Sequence, residues 1–157
     1  MISLALVLAL QADSAEALQK LNEQILAADA EKSAALIKAL VLPDSAAWFK
    51  KTFGDEVGAK LDAEYQGMTK DFDAQLGKLY AKCKADGQTA VRAIRIEKAG
   101  PEATGLQNSA FEAMKAPVAL YTVKLTKPDE KLGMSLWSFV HVDGAFRLAG
   151  KMRAVKP

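Results

Sequence analysis

The sequence predicts an α+β fold, with helices first and a curved four-stranded antiparallel sheet after them. Two observations carry this. Apolar residues recur at helical spacing from Leu18 to Cys83, and beyond Gly87 the pattern changes to the two-residue alternation of strands. The strand segments then follow one another through turns and one short helix, so the two kinds of element are segregated rather than alternating.

The elements follow in chain order. Met1 to Ala12 (MISLALVLALQA) carries no charged side chain. Its residues Ile2 to Leu10 match the apolar core of a secretory signal and fall well short of the roughly 20 residues needed to span a bilayer. Leu10-Gln11-Ala12 supplies a small-residue cleavage site. The expectation is a signal peptide over residues 1–12, export to the periplasm or exterior, no membrane span, and one domain over residues 13–157. Asp13-Ser14-Ala15-Glu16 has the form of a capping box, with Asp13 as the cap of a helix carrying Leu18, Leu21, Ile25 and Ala28. Asp29 recaps a second helix with Leu36, Ile37, Leu40 and Val41, which Pro43 stops. Asp44-Ser45 caps a short helix with Trp48, Phe49 and Phe53, closed by Gly54.

Val57, Leu61, Tyr65, Met68, Phe72, Leu76, Leu79 and Cys83 then stand 4, 4, 3, 4, 4, 3 and 4 residues apart. This spacing predicts one long helix ending near Asp86-Gly87, with a kink near Gly67. Strands are predicted over Thr89–Lys98, Val118–Thr126, Met134–Val142 and Ala145–Arg153, with a short helix over Gln107–Lys115. Asp143-Gly144 is a two-residue hairpin turn. With those two residues at the turn, Phe139 faces Leu148, His141 faces Phe146, and Trp137 covers the bare backbone of Gly150. That face is expected on the helices. The opposite face carries Leu136, Val140, Val142, Arg147 and Lys151, and is the expected surface for a ligand or partner.

Composition narrows the chemistry. One Cys and one His cannot build a Cys/His zinc cluster, so no metal is expected. The ten glycines form neither dinucleotide nor phosphate-loop motifs, so no cofactor is expected. No serine sits in a nucleophile elbow, and no catalytic residue is assigned. His141, opposite Phe146, and Cys83, on the apolar stripe, read as structural. The net charge of +2 gives no footprint for nucleic acid. It is unevenly spread: residues 1–87 carry 10 cations, all lysine, and 13 anions, whereas residues 88–157 carry 11 cations and 6 anions. All four arginines (Arg92, Arg95, Arg147 and Arg153) lie in the basic half, and the planar fork of arginine suits carboxylate or phosphate. An acidic small molecule or protein at the sheet is therefore the expected partner, with a homodimer contact through the sheet as a further expectation.

Leu136-Trp-Ser-Phe-Val-His-Val-Asp-Gly-Ala-Phe-Arg-Leu148 resembles the terminal hairpin of nuclear-transport-factor-2-like domains. The order of a long helix and then four antiparallel strands is similar to the wider cystatin-like arrangement, in which a curved sheet wraps on a helix. The chain departs from many such domains in having no strand between Pro43 and Gly87. The resemblance implies either a non-catalytic binding or dimerisation module, or an isomerase or dehydratase with a cavity between helices and sheet. The expected function is an exported non-catalytic domain that binds a small ligand or partner through its sheet, the small enzyme being the alternative.

Overall fold

A computed structural model of the protein describes residues 10–155. Six α-helices pack with one open four-stranded antiparallel sheet. The helices are α1 (Ala15–Ala27), α2 (Ala30–Lys38), α3 (Ser45–Phe53), α4 (Asp55–Thr69), α5 (Phe72–Ala85) and α6 (Gly105–Ala113). The strands are β1 (Ala90–Ile96), β2 (Leu120–Thr126), β3 (Gly133–Val142) and β4 (Ala145–Leu148), neighbouring one another in that order. This is the helices-then-meander α+β arrangement that the change of period implies. Of the leader segment, residues 1–9 lie outside the described range.

Local chemistry sets most helix ends. Ser14 rather than Asp13 caps α1, its hydroxyl accepting from Ala17 N at 3.2 Å. Asp29 caps α2, accepting from Lys32 N at 2.8 Å. Gly54, at φ +87, ends α3 and starts α4 in a conformation that L side chains rarely adopt. Thr104 and Gln107 form a full capping box on α6. α2 ends at Lys38, before Pro43 is reached, and turns through Leu40 to Leu42 into α3.

The stripe from Val57 to Cys83 is two helices, not one. The break falls at Lys70-Asp71, past Gly67, and it separates two cores. Phe72, Leu76, Tyr80 and Cys83 of α5 join α1, α2 and the Val123, Phe139 and Phe146 side of the sheet. Leu61 and Tyr65 of α4 join Phe49 and Phe53 of α3, Ala110 of α6, and Leu120 and Val140 on the other side. Met68, next to the break, packs against both cores. A straight helix would keep its apolar stripe on one side of the sheet, so the chain breaks to bury the two halves on opposite faces.

The β3–β4 register is the expected one: Phe139 pairs with Leu148, His141 with Phe146, and Val142 with Ala145. Across β2 and β3 the register slips by one residue, because Tyr121 pairs with Phe139 while Thr122 pairs with Trp137. Ser138 is the extra residue of this bulge. Side chains alternate along a strand, so one inserted residue moves everything before it to the other face. Leu136 consequently enters the core under α1 and α5, and Trp137 turns to the outer face. Gly150 is covered by Met68, whose Sδ would lie 2.8 Å from an added Cβ, and not by Trp137. The last strand stops at Leu148 rather than Arg153; Gly150 and Met152 take positive φ, and residues Arg153–Val155 form a 3-10 turn.

Candidate functional site

The five residues expected to share a binding face are dispersed. Leu136 lies in one core and Val140 in the other, both buried, and Val142 packs at the edge of the second. Arg147 directs Nη1 at the Ala39 and Val41 carbonyls, where it serves the carboxyl end of α2. Only Lys151 is exposed, with its Nζ 5.5 Å from the centroid of the Trp137 ring. The expected face is thus filled by α3, α4 and the α2–α3 turn, because the apolar residues of β3 that suggested an open surface have intramolecular partners.

The other chemistry-bearing groups are also engaged. His141 Nε2 lies 2.7 Å from the Gln11 carbonyl oxygen, which can only accept, so this nitrogen carries a proton. Gln11 further donates its N–H to Gly144 O and accepts from Phe146 N, both at 2.7 Å. Cys83 is buried, and burial followed by the Asp86 charge pushes its thiol pKa up, away from reactivity. The Tyr65 hydroxyl donates to Leu148 O at 3.0 Å and accepts from Leu42 N at 2.8 Å. Burial drives its pKa up to about 12 against the opposing effects of the Leu42 hydrogen bond and the Arg147 charge. Tyr121 donates to Asp13 Oδ1 at 2.5 Å and accepts from Arg95 Nη1 at 2.8 Å. Burial and then Asp13 raise its pKa to about 12.

Several concavities mark the surface of the described residues. One of about 450 Å³ follows the chain from Arg95 to Glu102, past the end of β1. Another, about 380 Å³, runs between α1, α2 and α5 over Ile25, Leu26, Ile37 and Tyr80. The Tyr80 hydroxyl beneath it is already committed, donating to Asn22 Oδ1 at 2.6 Å. A smaller one, about 90 Å³, is lined by Lys124, Lys131, Leu132, Gly133, Met134 and Ser135 at the base of the β2–β3 hairpin. It is too small for a drug-sized molecule and of the order of one oxyanion. Two lysines and a serine belong to its lining and no aspartate or glutamate does; Asp129 and Glu130 of the same hairpin loop lie outside it. A side chain at Gly133 would collide with the Leu125 carbonyl, so glycine alone permits this close approach of the two strands.

Register adds to this charge. Arg92 of β1 stands directly opposite Lys124 of β2, which stands opposite Ser135 of β3. Like charges directly across a strand pair are destabilising. Among the described residues neither Arg92, Lys124, Lys131 nor Lys151 is in an ion pair. The next row along the same face is Ile94, Thr122 and Trp137. Thr122 is small and buried beneath α6, accepting from Gln107 Nε2 at 2.9 Å while the same nitrogen donates to Ser138 Oγ at 3.0 Å, so α6 covers the middle of this row. Of the expected site residues, only Lys151 belongs to this surface. Arg92 is visible in the sequence as an arginine in a strand. The positions of Lys124, Lys131, Ser135 and Trp137 depend on the bulge and on the hairpin geometry.

No family model, no curated protein and no solved structure matches the chain. The likeness of the last hairpin to nuclear-transport-factor-2-like domains is therefore not extended by these comparisons.

Proposed function

We propose that the protein is an exported, non-catalytic binding domain that takes an anionic ligand on the outer face of its sheet, at the base of the β2–β3 hairpin. The observation that carries this reading is the cavity lined by Lys124, Lys131 and Ser135 without a carboxylate, beside an Arg92–Lys124 pair held face to face by the register. An oxyanion there relieves repulsion between neighbouring cations and gains charge-assisted hydrogen bonds. The test is calorimetric titration with inorganic phosphate at low salt. Saturable binding that weakens at least tenfold in a Lys124→Glu/Lys131→Glu variant is expected; no binding, or equal binding by the variant, refutes the reading. Export rests on the apolar run from Ile2 to Leu10 and is tested by the intact mass of secreted protein. A secreted chain that begins at Asp13 supports it, and a chain retained inside the cell with Met1 in place refutes it.

The alternative, a small isomerase or dehydratase, draws on a single observation, the carboxylate of Asp13 hydrogen-bonded to Tyr121. These two groups satisfy each other and Arg95, and Tyr121 is fully buried apart from that contact, which favours a structural clasp.

A further inference from the structure

We infer that the outer edge of β1 takes a second polypeptide, an extended segment of alternating apolar and acidic residues that adds to the sheet as a fifth strand. The last hairpin fixes which backbone groups that edge offers. Its two-residue turn makes Val142 and Ala145 a hydrogen-bonded pair, so Ala145 and Arg147 bond to β3 while Phe146 and Leu148 point outward. The outward N–H groups of Phe146 and Leu148 reach Gln11 Oε1 at 2.7 Å and Leu40 O at 2.8 Å. Carried across the sheet, the same alternation turns Phe139 to β2, Tyr121 to β3, and Arg92, Ile94 and Ile96 to β2. Val91, Ala93 and Arg95 therefore direct their N–H and C=O groups off the edge. Among the described residues, none of these six groups has a hydrogen-bond partner.

The two edges of the sheet thus differ. β4 is four residues long and its outward amides are met from within the chain, whereas β1 runs seven residues with no proline and no bulge. A long, unblunted edge is a template for another strand. Val91 and Ala93 pack against the core under α1 but stay only half-buried, while their β2 partners Leu125 and Val123 are 0 % exposed, which leaves apolar surface along the edge. Charge selects the occupant. Arg92 is exposed, stands opposite Lys124, and is in no ion pair among the described residues. A strand laid antiparallel to β1 sets one side chain directly opposite Arg92, where a carboxylate relieves that repulsion. Its alternate residues fall on the α1 side against Val91 and Ala93, and suit valine. A second copy of β1 supplies no carboxylate, because Ala90–Ile96 holds two arginines and no acidic residue. The edge is distinct from the oxyanion cavity, since a carboxylate opposite Arg92 stands two strand spacings, about 10 Å, from Lys124.

The probes are acetyl-Thr-Val-Glu-Val-Glu-Val-Thr-amide and the same peptide with lysine for glutamate, titrated calorimetrically into the full chain. The acidic peptide is expected to bind at least tenfold more tightly, and Arg92→Glu to reverse that order. In amide hydrogen exchange, Val91, Ala93 and Arg95 are expected to be unprotected in the free chain and to slow at least tenfold with the acidic peptide bound. Ala93→Pro removes one outward N–H and no β1–β2 bond, so it is expected to abolish peptide binding and keep the helical circular dichroism. N-methylation of the central valine of the peptide makes the same test from the ligand side, even where Ala93→Pro does not fold. Absence of binding, equal binding of the two peptides, or unchanged exchange at the three amides in the complex overturns the inference. Protection of those amides that rises with the concentration of the free chain also overturns it, assigning the edge to a second copy.

Discussion

Single side chains tie distant parts of this chain together, and the tyrosines do most of that tying. Tyr65 bridges the α2–α3 turn and the end of β4 with one hydroxyl, satisfying a buried N–H and a buried carbonyl at once. Tyr65→Phe leaves both without a partner, and a loss of about 2–4 kcal/mol in chemical denaturation is expected, with little change in the denaturant slope. The raised pKa values of Tyr65 and Tyr121 make stability pH-dependent in a defined direction. A folded-state pKa above the unfolded value of about 10 means that the unfolded chain releases its proton first as pH rises. Stability is therefore complete below pH 10 and falls between pH 10 and about 12, by on the order of 2–3 kcal/mol for Tyr65 and by less for Tyr121, whose hydroxyl meets the partly exposed Asp13 and Arg95. Phenolate absorbance measured against pH should lag behind that of the unfolded chain and then rise together with loss of helical circular dichroism. Neither tyrosine partnership is legible in sequence. Tyr65 is visible only as a member of an apolar stripe, and its partners lie 23 and 83 residues away.

At the level of elements, helix existence and capping chemistry are readable because they depend on neighbours in sequence. Asp29, Gly54 and the Asp143-Gly144 turn act as their types dictate. Continuity between elements is not readable in that way. The eight-residue stripe from Val57 to Cys83 satisfies one helix and two helices equally well, and the choice is made by which core each half enters. The glycines of α4 separate these influences. Gly58 crosses α3 so closely that a Cβ would lie 2.8 Å from Lys50 Cα and Phe49 O, whereas a Cβ at Gly67 meets nothing within 4 Å. Gly58→Ala is expected to cost about 1–3 kcal/mol by forcing the helices apart, and Gly67→Ala to stabilise by about 0.5–1 kcal/mol. Melting temperatures of the two variants, measured side by side, check both signs. A Gly58→Ala protein as stable as the parent would show that α3 and α4 do not touch at this crossing.

For the molecule as a whole, the sheet lies between two helical groups, and this decides which surfaces remain free. The amino-terminal residues Leu10 to Ala12 run along the β3–β4 hairpin, where Gln11 engages Gly144, Phe146 and His141. A chain that begins at Asp13 keeps both cores and loses these three contacts. It is expected to fold and to melt roughly 4–8 °C below a chain that begins at Leu10, corresponding to about 2 kcal/mol at a molecule of this size. Calorimetric melting of the two chains checks this, and an equal melting temperature would show that the Gln11 contacts contribute nothing.

The sequence by itself determined the fold class, the order of the elements, the pairing of the last hairpin and the concentration of positive charge in the sheet half. Each of these follows from local periodicity, turn chemistry or composition, which need no knowledge of long-range contacts. It also pointed to the sheet as the place to look for a binding surface, and of the residues it suggested, Lys151 belongs to the surface now proposed. Only the tertiary structure decided which face each residue occupies. One extra residue at Ser138 sends Leu136 inward and Trp137 outward, and a break at Lys70-Asp71 carries the chain from one face of the sheet to the other. Alternation fixes relative sidedness only as far as the next irregularity. A bulge or a helix break is set by the packing of partners far away in sequence, so the open, cationic part of the sheet becomes visible only when those partners are in place.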